Sequence, residues 1–587
     1  MDSKVILFIA ALIVAVIYLW VDNNRRRRER IEKKLESSWG KPSTRKITDD
    51  EMKVISHYYE DSIENSGADS GYIDDITWND LDMDSIYKKM NIANSSVGQE
   101  SLYKMLRIPS DIKKLKETDR LASFFASDKE KRKSVQRIFC WLGFSKGVSV
   151  SDYISLLSDL KPSGNLIHYL SVILIAAAII CCIFVNPVAG IGLVIVAVSF
   201  AVISYYKLKA GVEPYFICIT QIVRMVQAAH DIEKLDIEEL SEYNRYFKDA
   251  EKDFSSVVKN SGILTSGNVT GSLSEMVLDY VRMLTHIDLI KFNHMLKKLD
   301  SHEDKVYELM ETLGYIEACI CVASFRKQLE YWSKPALSSH GTNMSVTEVF
   351  HPLIKEPVVN SITTSKHVLV TGSNASGKST FLKTIAINAL LSQTIYTSTS
   401  KEYNAPFYRI YSSMALRDDL NAQNSYYIVE IKSLKRILDA VDKDDKRPVL
   451  CFVDEVLRGT NTVERIAASS EILKSLRYKN VLVFAATHDI ELTYLLEKYY
   501  DNYHFQEEVT DDDVKFNYRL FTGPAVTRNA IKLLGVIGYN KNIIDAAESQ
   551  VVEKIKQSYR FVDIMFGTFN IFKLAELLYS RWTQEMM

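Results

Sequence analysis

His367-Val368-Leu369-Val370-Thr371-Gly372-Ser373-Asn374-Ala375-Ser376-Gly377-Lys378-Ser379-Thr380 is the stretch from which the fold of this chain is read. Its glycine-bounded part satisfies G-x-x-x-x-G-K-[ST], the phosphate-binding loop. The apolar run before it predicts a short buried strand. Phe381 to Leu390 after it predicts a helix. Strand, loop and helix in that order is the context the motif requires, which a chance glycine turn would lack. Loop amides and a helix N-terminus form a positive cradle for phosphate oxygens. Lys378 is expected to reach the β- and γ-phosphates, and the Ser379 hydroxyl to ligate Mg²⁺. The expected nucleotide-binding set is Gly372, Ser373, Asn374, Ala375, Ser376, Gly377, Lys378, Ser379 and Thr380.

Downstream, Val449-Leu450-Cys451-Phe452-Val453-Asp454-Glu455 is an apolar strand ending in two acids. Triphosphate hydrolysis needs one acid in the Mg²⁺ shell and another to polarise the attacking water. Asp454 takes the first role and Glu455 the second. Val481 to Thr487 is a further strand ending at His488, a candidate sensor of the terminal phosphate. From about Ser345 to Tyr539, short apolar runs alternate with helical patterns, which implies an α/β nucleotide-binding domain.

The chain has 587 residues, room for several domains, and a net charge of −2, which carries no bulk signature of nucleic-acid binding. Its seven cysteines have no partners at metal-ligand spacing and read as reduced thiols. Three apolar segments stand apart. Val5–Val21 is free of charge and is followed by Arg25-Arg26-Arg27-Arg28-Glu29-Arg30, the order of an uncleaved anchor with its N-terminus outside. Leu166–Val185 and Val188–Tyr206 are separated only by Asn186-Pro187, a turn signal, and flanked by Lys161, Lys207 and Lys209. They predict a membrane hairpin with both ends in the cytoplasm; the competing reading is an apolar core hairpin of a soluble domain. The expected organisation is a transmembrane anchor over 1–24, a polar linker over 25–79, a helical core over 80–160, the transmembrane hairpin over 161–208, a helical core or lever over 209–340, the ATPase domain over 341–541 and a helical tail over 542–587. The fold class is thus mixed, a helical region with a transmembrane hairpin followed by an α/β phosphate-loop domain.

The motifs together resemble one family. The loop 372–380, with Asn374, is similar to the GPNMGGKST loop of the MutS family of DNA mismatch-repair ATPases. Asp454-Glu455-Val456-Leu457-Arg458-Gly459-Thr460 resembles its DELGRGT, and Ala486-Thr487-His488 with Glu491-Leu492-Thr493 its ATH…ELT. Phe350-His351-Pro352 and Asn360 look like its elements before the loop. Asp419 to Glu430 resembles D-L-x-x-G-x-S-T-F-M-x-E, and Gly523, Arg528-Asn529-Ala530-Ile531 and Gly538-Tyr539 its closing segment. Asn94 to Pro109, with Arg120, is similar to the start of the MutS core.

The resemblance implies ATP with Mg²⁺, a homodimer through ABC-type ATPase domains, and Ser425 completing the partner's site in trans. DNA binding follows from the resemblance alone. The chain departs from the family where Gln423 and Leu457 replace glycines and Glu464-Arg465 replaces Asp-Gly. No mismatch-reading domain or nuclease-like module is visible in it. Phe505-Gln506-Glu507 spells the family's F-x-E wedge, but inside the ATPase region, and reads as coincidence. The expected function is a membrane-anchored MutS-like ATPase. The alternative is a mechanochemical or scaffold ATPase without DNA, and after that an ABC-type transporter.

Overall fold

The computed structural model describes residues 22–550 apart from 24, 67–70, 146, 159–163, 266–272, 301, 374–375, 415–425, 444, 458–459, 478, 510–513, 526–530, 532–533, 535–537 and 548. Val5–Val21, Asn374, Ala375, Ser425, Arg458-Gly459, Arg528 to Ala530 and the tail beyond residue 550 lie outside the described residues.

The architecture is mixed and rich in helix, with α/β sheets in its C-terminal half. Within residues 25–79, expected as a polar linker, the described segments 25–66 and 71–79 include packed structure. Residues 25–38 and Asp49–Ser66 are helices, and Leu35, Ile55, Tyr58 and Tyr59 are buried. Charged residues dominate the composition there, but the few apolar ones recur at helical spacing and form one buried face. The helices Met83–Met90, Ser96–Arg107, Ile112–Ser127 and Lys129–Leu142 continue the helical body.

A close crossing organises that body. A Cβ at Gly98 would stand 2.6 Å from the carboxyl carbon of Glu317, and one at Gly314 would stand 2.6 Å from the Val97 carbonyl oxygen. The helices Ser96–Arg107 and Glu303–Gln328 therefore touch backbone to backbone. In the seam the buried Glu317 carboxylate caps the first, accepting from the Asn94 N–H at 2.7 Å and from the Ser95 hydroxyl. At the far end of the second, Arg326 joins the body to the α/β domain. It donates to Asp119 at 2.7 Å, to Thr397 Oγ1 at 2.9 Å and to the Ile395 and Tyr396 carbonyls.

The hairpin helices are Leu166–Phe184 and Pro187–Glu233. Asn186 caps the second, accepting from the Val188 and Ala189 amides, and Pro187 occupies its first turn. Leu166–Phe184 and Pro187–Val212 are long and apolar enough, by length and composition, to cross a membrane. Most of their side chains are exposed, Phe184, Val185 and Val188 among them. The second helix does not stop where its apolar run ends. It continues for 47 residues in all, about 70 Å at 1.5 Å per residue, and its last part buries Ile219, Val226 and Ile232 in the body. The helix Ser241–Thr265 is anchored along one face by the buried Phe247, Ala250 and Phe254.

Among the described residues twelve strands follow: β1 Ala336–Ser338, β2 Met344–Val349, β3 Asn360–Thr364, β4 His367–Thr371, β5 Glu402–Pro406, β6 Arg409–Ser413, β7 Val449–Asp454, β8 Val481–Thr487, β9 Tyr500–His504, β10 Glu507–Val509, β11 Val514–Phe516 and β12 Phe521–Thr522. The main sheet has the order β12-β9-β4-β8-β7-β6, parallel from β9 to β6 and antiparallel at β12. A smaller sheet has the order β1-β5-β2-β3, and β10 pairs with β11. Strands β4, β7 and β8 are buried along their whole length, as strands covered on both faces must be. Their side chains alternate. Leu450, Phe452, Leu482 and Phe484 enter the core shared with the helical body, and Val449, Cys451, Val481 and Val483 a second core on the other face.

Candidate functional site

Three parallel strands end side by side at their C-terminal edge, the place where open α/β sheets bind ligands. From β4 the chain enters the phosphate loop. Gly372 has φ +145°, and a Cβ there would lie 2.6 Å from the Phe505 carbonyl oxygen. Gly377 has φ +105° and begins the helix Lys378–Thr394. Both positions demand glycine, so the spacing of the motif is the spacing of the two backbone reversals.

The Lys378 ammonium is buried and donates to the loop's own carbonyls, Gly372 at 2.9 Å and Ser373 at 2.7 Å. The Ser379 hydroxyl donates to Asp454 Oδ2 at 2.5 Å. Asp454 is the last residue of β7 and is buried. Glu455, one residue on, makes a close carboxylate–imidazole contact with His488 Nε2. His488 Nδ1 stands 3.4 Å from Lys378 Nζ and 3.3 Å from the Gly372 oxygen. A neutral ring accepts from Lys378 and donates Nε2–H to Glu455. A charged ring donates to Glu455 on one side and to Gly372 on the other. Lys378, Ser379, Asp454, Glu455 and His488, spread over 111 residues of chain, are thus linked by contacts at one strand edge. Ser376 and Thr380 lie in the same loop and first helical turn.

The group fits a triphosphate with Mg²⁺. A buried lysine cation, two glycine reversals and a helix N-terminus face the same place. The Ser376 hydroxyl there is buried and has no hydrogen-bond partner among the described residues. The hydroxyl–carboxylate pair of Ser379 and Asp454 is an all-oxygen donor set of the kind Mg²⁺ takes.

Supporting residues emerge to which the sequence reading assigned no contact in the site. Glu507, dismissed with the F-x-E triplet, accepts from the Ser373 hydroxyl at 2.8 Å. Phe505 of the same triplet donates its N–H to the Thr371 carbonyl at 3.0 Å and packs on Phe381. Arg465 holds Asp489, next to His488, by two bonds of 2.6 and 2.8 Å. Asn360 accepts from the Leu520 amide at 2.8 Å and donates to the Tyr518 carbonyl at 3.0 Å. That fixes the Tyr518 ring against Gly377. His351 is partly buried and accepts from the Leu353 amide at 3.2 Å, and desolvation brings its imidazole down to about 4. Leu457 adopts φ +60° with its side chain buried. The family motif has glycine there, which accounts for that residue type by the left-handed backbone.

Residues 368–556 match the family model for MutS domain V. The chain is 27% identical over 329 residues to MutS protein homolog 4 of Mus musculus, covering 52% of this chain and 33% of that protein. It is 30% identical over 183 residues to the DNA mismatch repair protein MutS of Thermus thermophilus, covering 31% and 22%. It is 29% identical over 280 residues to the DNA mismatch repair protein MutS of Fervidobacterium nodosum, covering 45% and 33%. The chain spans about a third or less of the length of these relatives.

Proposed function

We propose, from the premise that this chain belongs to the MutS family, that it is an ATP-hydrolysing membrane protein working as a dimer. One observation carries the reading: the contact chain from Lys378 through His488 to Glu455, beside Ser379 and Asp454. Lys378 binds the β- and γ-phosphates of ATP, with the loop amides of 372–380 around them. Ser379 and Asp454 would hold Mg²⁺, which when bound neutralises phosphate charge. Glu455 takes the proton of the attacking water, and His488 orients Glu455. Ser425 is proposed to complete the partner's site, so that ATP closes the dimer and hydrolysis opens it.

The apolar hairpin is proposed to lie in the bilayer, with the ATPase domain in the cytoplasm. Exposed leucines, isoleucines and valines along two adjacent helices favour it. By its relatives' names the output is DNA mismatch repair. A second reading, a membrane mechanochemical ATPase without DNA, is favoured by the helix Pro187–Glu233, which runs unbroken from the hairpin into the body.

Two measurements test this. The detergent-solubilised chain should hydrolyse ATP, and Lys378→Ala should abolish turnover. Binding to matched and mismatched duplexes should then be titrated at several salt concentrations. A steep fall of affinity with salt marks phosphate contacts. A preference for the mismatch of about 100-fold or more, roughly 2.7 kcal/mol, supports the repair role. No salt-dependent binding leaves the membrane reading in its place.

A further inference from the structure

We infer that Glu430 is a positioning residue for Glu455, clamping the left-handed turn that carries it; this rests on the ATPase reading above. The turn leaving β7 has φ +61° at Glu455 and +60° at Leu457. A left-handed backbone is unfavourable for residues with a Cβ, so such a turn persists only where its surroundings hold it. Among the described residues, bonds from three elements hold this one. The Glu455 N–H donates to the Ala486 carbonyl of β8 at 2.9 Å. The Ser469 hydroxyl donates to the Val456 carbonyl at 3.2 Å. The Leu457 N–H donates to the Glu430 carboxylate.

The first two bonds come from elements that flank the turn, β8 and the helix Thr462–Ser475. Glu430 comes from elsewhere. It lies on the helix Tyr426–Asp442, which precedes β7 in the chain, and is 4% exposed. Val456 and Leu457 are buried in the core beneath the turn, so the Leu457 amide cannot turn to water. A bond from a buried N–H to a carboxylate is among the stronger hydrogen bonds, and its loss strands the amide. The turn would then relax, and the Glu455 side chain would swing away from His488. Displacing a reacting group by about 1 Å can cost 100-fold in rate.

The same helix is tied to the helical body. Arg436 pairs with Asp74 at 2.5 Å and donates to the Ser412 carbonyl at 2.5 Å. Asp80 accepts from the Ser412 hydroxyl at 2.7 Å and from the Met414 N–H at 2.9 Å. A path from the body to the turn of the general base therefore runs through the Glu430 carboxylate.

The test uses the full-length chain in detergent with Glu430→Gln, Glu430→Met and Glu430→Asp. Glutamine keeps an acceptor at the same reach; methionine keeps the length without a comparable acceptor; aspartate is one methylene short. Turnover should fall at least about tenfold in Glu430→Met and Glu430→Asp, with affinity for a fluorescent ATP analogue within about threefold, and Glu430→Gln should stay near wild type. Hydrogen exchange of the Leu457 amide supplies a readout that needs no ATPase. It should be slow in the wild type and in Glu430→Gln, and faster in the other two. Equal exchange in every variant overturns the clamp, as does wild-type turnover in a folded Glu430→Met or Glu430→Asp. A loss of affinity parallel to the loss of rate overturns the positioning role. Faster exchange in Glu430→Met and Glu430→Asp, together with a wild-type chain that hydrolyses nothing, supports the clamp and refutes the ATPase reading instead.

Discussion

Glu455→Gln separates binding from chemistry, and the geometry says how far. The substitution removes the only change of charge needed, because an amide cannot take a proton from water. It keeps the rest. The glutamine Oε1 can still accept from His488 Nε2, so the ring keeps its place. The bond from the residue 455 amide to the Ala486 carbonyl is untouched. Lys378 is held by Gly372 and Ser373, and Ser379 by Asp454, none of which involves the Glu455 side chain. Loss of a general base costs about 100- to 10,000-fold in rate. ATP affinity should change by no more than about threefold, roughly 0.7 kcal/mol. The assay is single-turnover hydrolysis with equilibrium binding of a fluorescent ATP analogue on the same preparation. Hydrolysis within about threefold of wild type would show that Glu455 is not the base. Equal losses in rate and affinity would show that the change had disturbed the phosphate loop.

Other outcomes follow from the same structure. Leu457→Gly should lower the melting temperature: it relieves about 1–2 kcal/mol of left-handed strain but empties a buried leucine site worth about 2–5 kcal/mol, and an unchanged or higher midpoint would reverse that ranking. Burial pushes the carboxyl of Glu100 up to about 8 and that of Glu317 up to about 7, against an ordinary 4.5. Both are therefore protonated in the folded chain at pH values where the unfolded chain has lost those protons, so their contribution is full below about pH 4.5 and declines as pH rises toward 7–8. Thermal midpoints at pH 5 and pH 7.5 should converge in Glu100→Gln and Glu317→Gln relative to wild type; an unchanged gap would remove these groups as its cause. A cysteine at Asn186, in a background lacking Cys181 and Cys182, should react with an impermeant thiol reagent in intact cells, and one at Lys401 only after lysis. The reverse pattern would refute the proposed topology.

What the sequence determined by itself was whatever is local. The phosphate loop was legible because two backbone reversals of fixed spacing allow only glycine at Gly372 and Gly377. The strands β4, β7 and β8 were legible because burial on both faces leaves apolar runs, with Gly372, Glu455 and His488 just beyond them. The two apolar helices were legible from length and charge, which is also why their environment was not: composition says what a helix can cross, and not what surrounds it. The tertiary structure decided what depends on partners far along the chain. The stretch 25–66 looked like linker because its apolar residues are few; only the helical body supplies the surface that buries Tyr58 and Tyr59. Glu507 and Glu430 carried no local signal of their roles, since Ser373 lies 134 residues from the first and Leu457 lies 27 from the second. A short motif records the conformation the backbone must take. The side chains that hold it there are chosen by packing, which brings together residues whose separation along the chain carries no period.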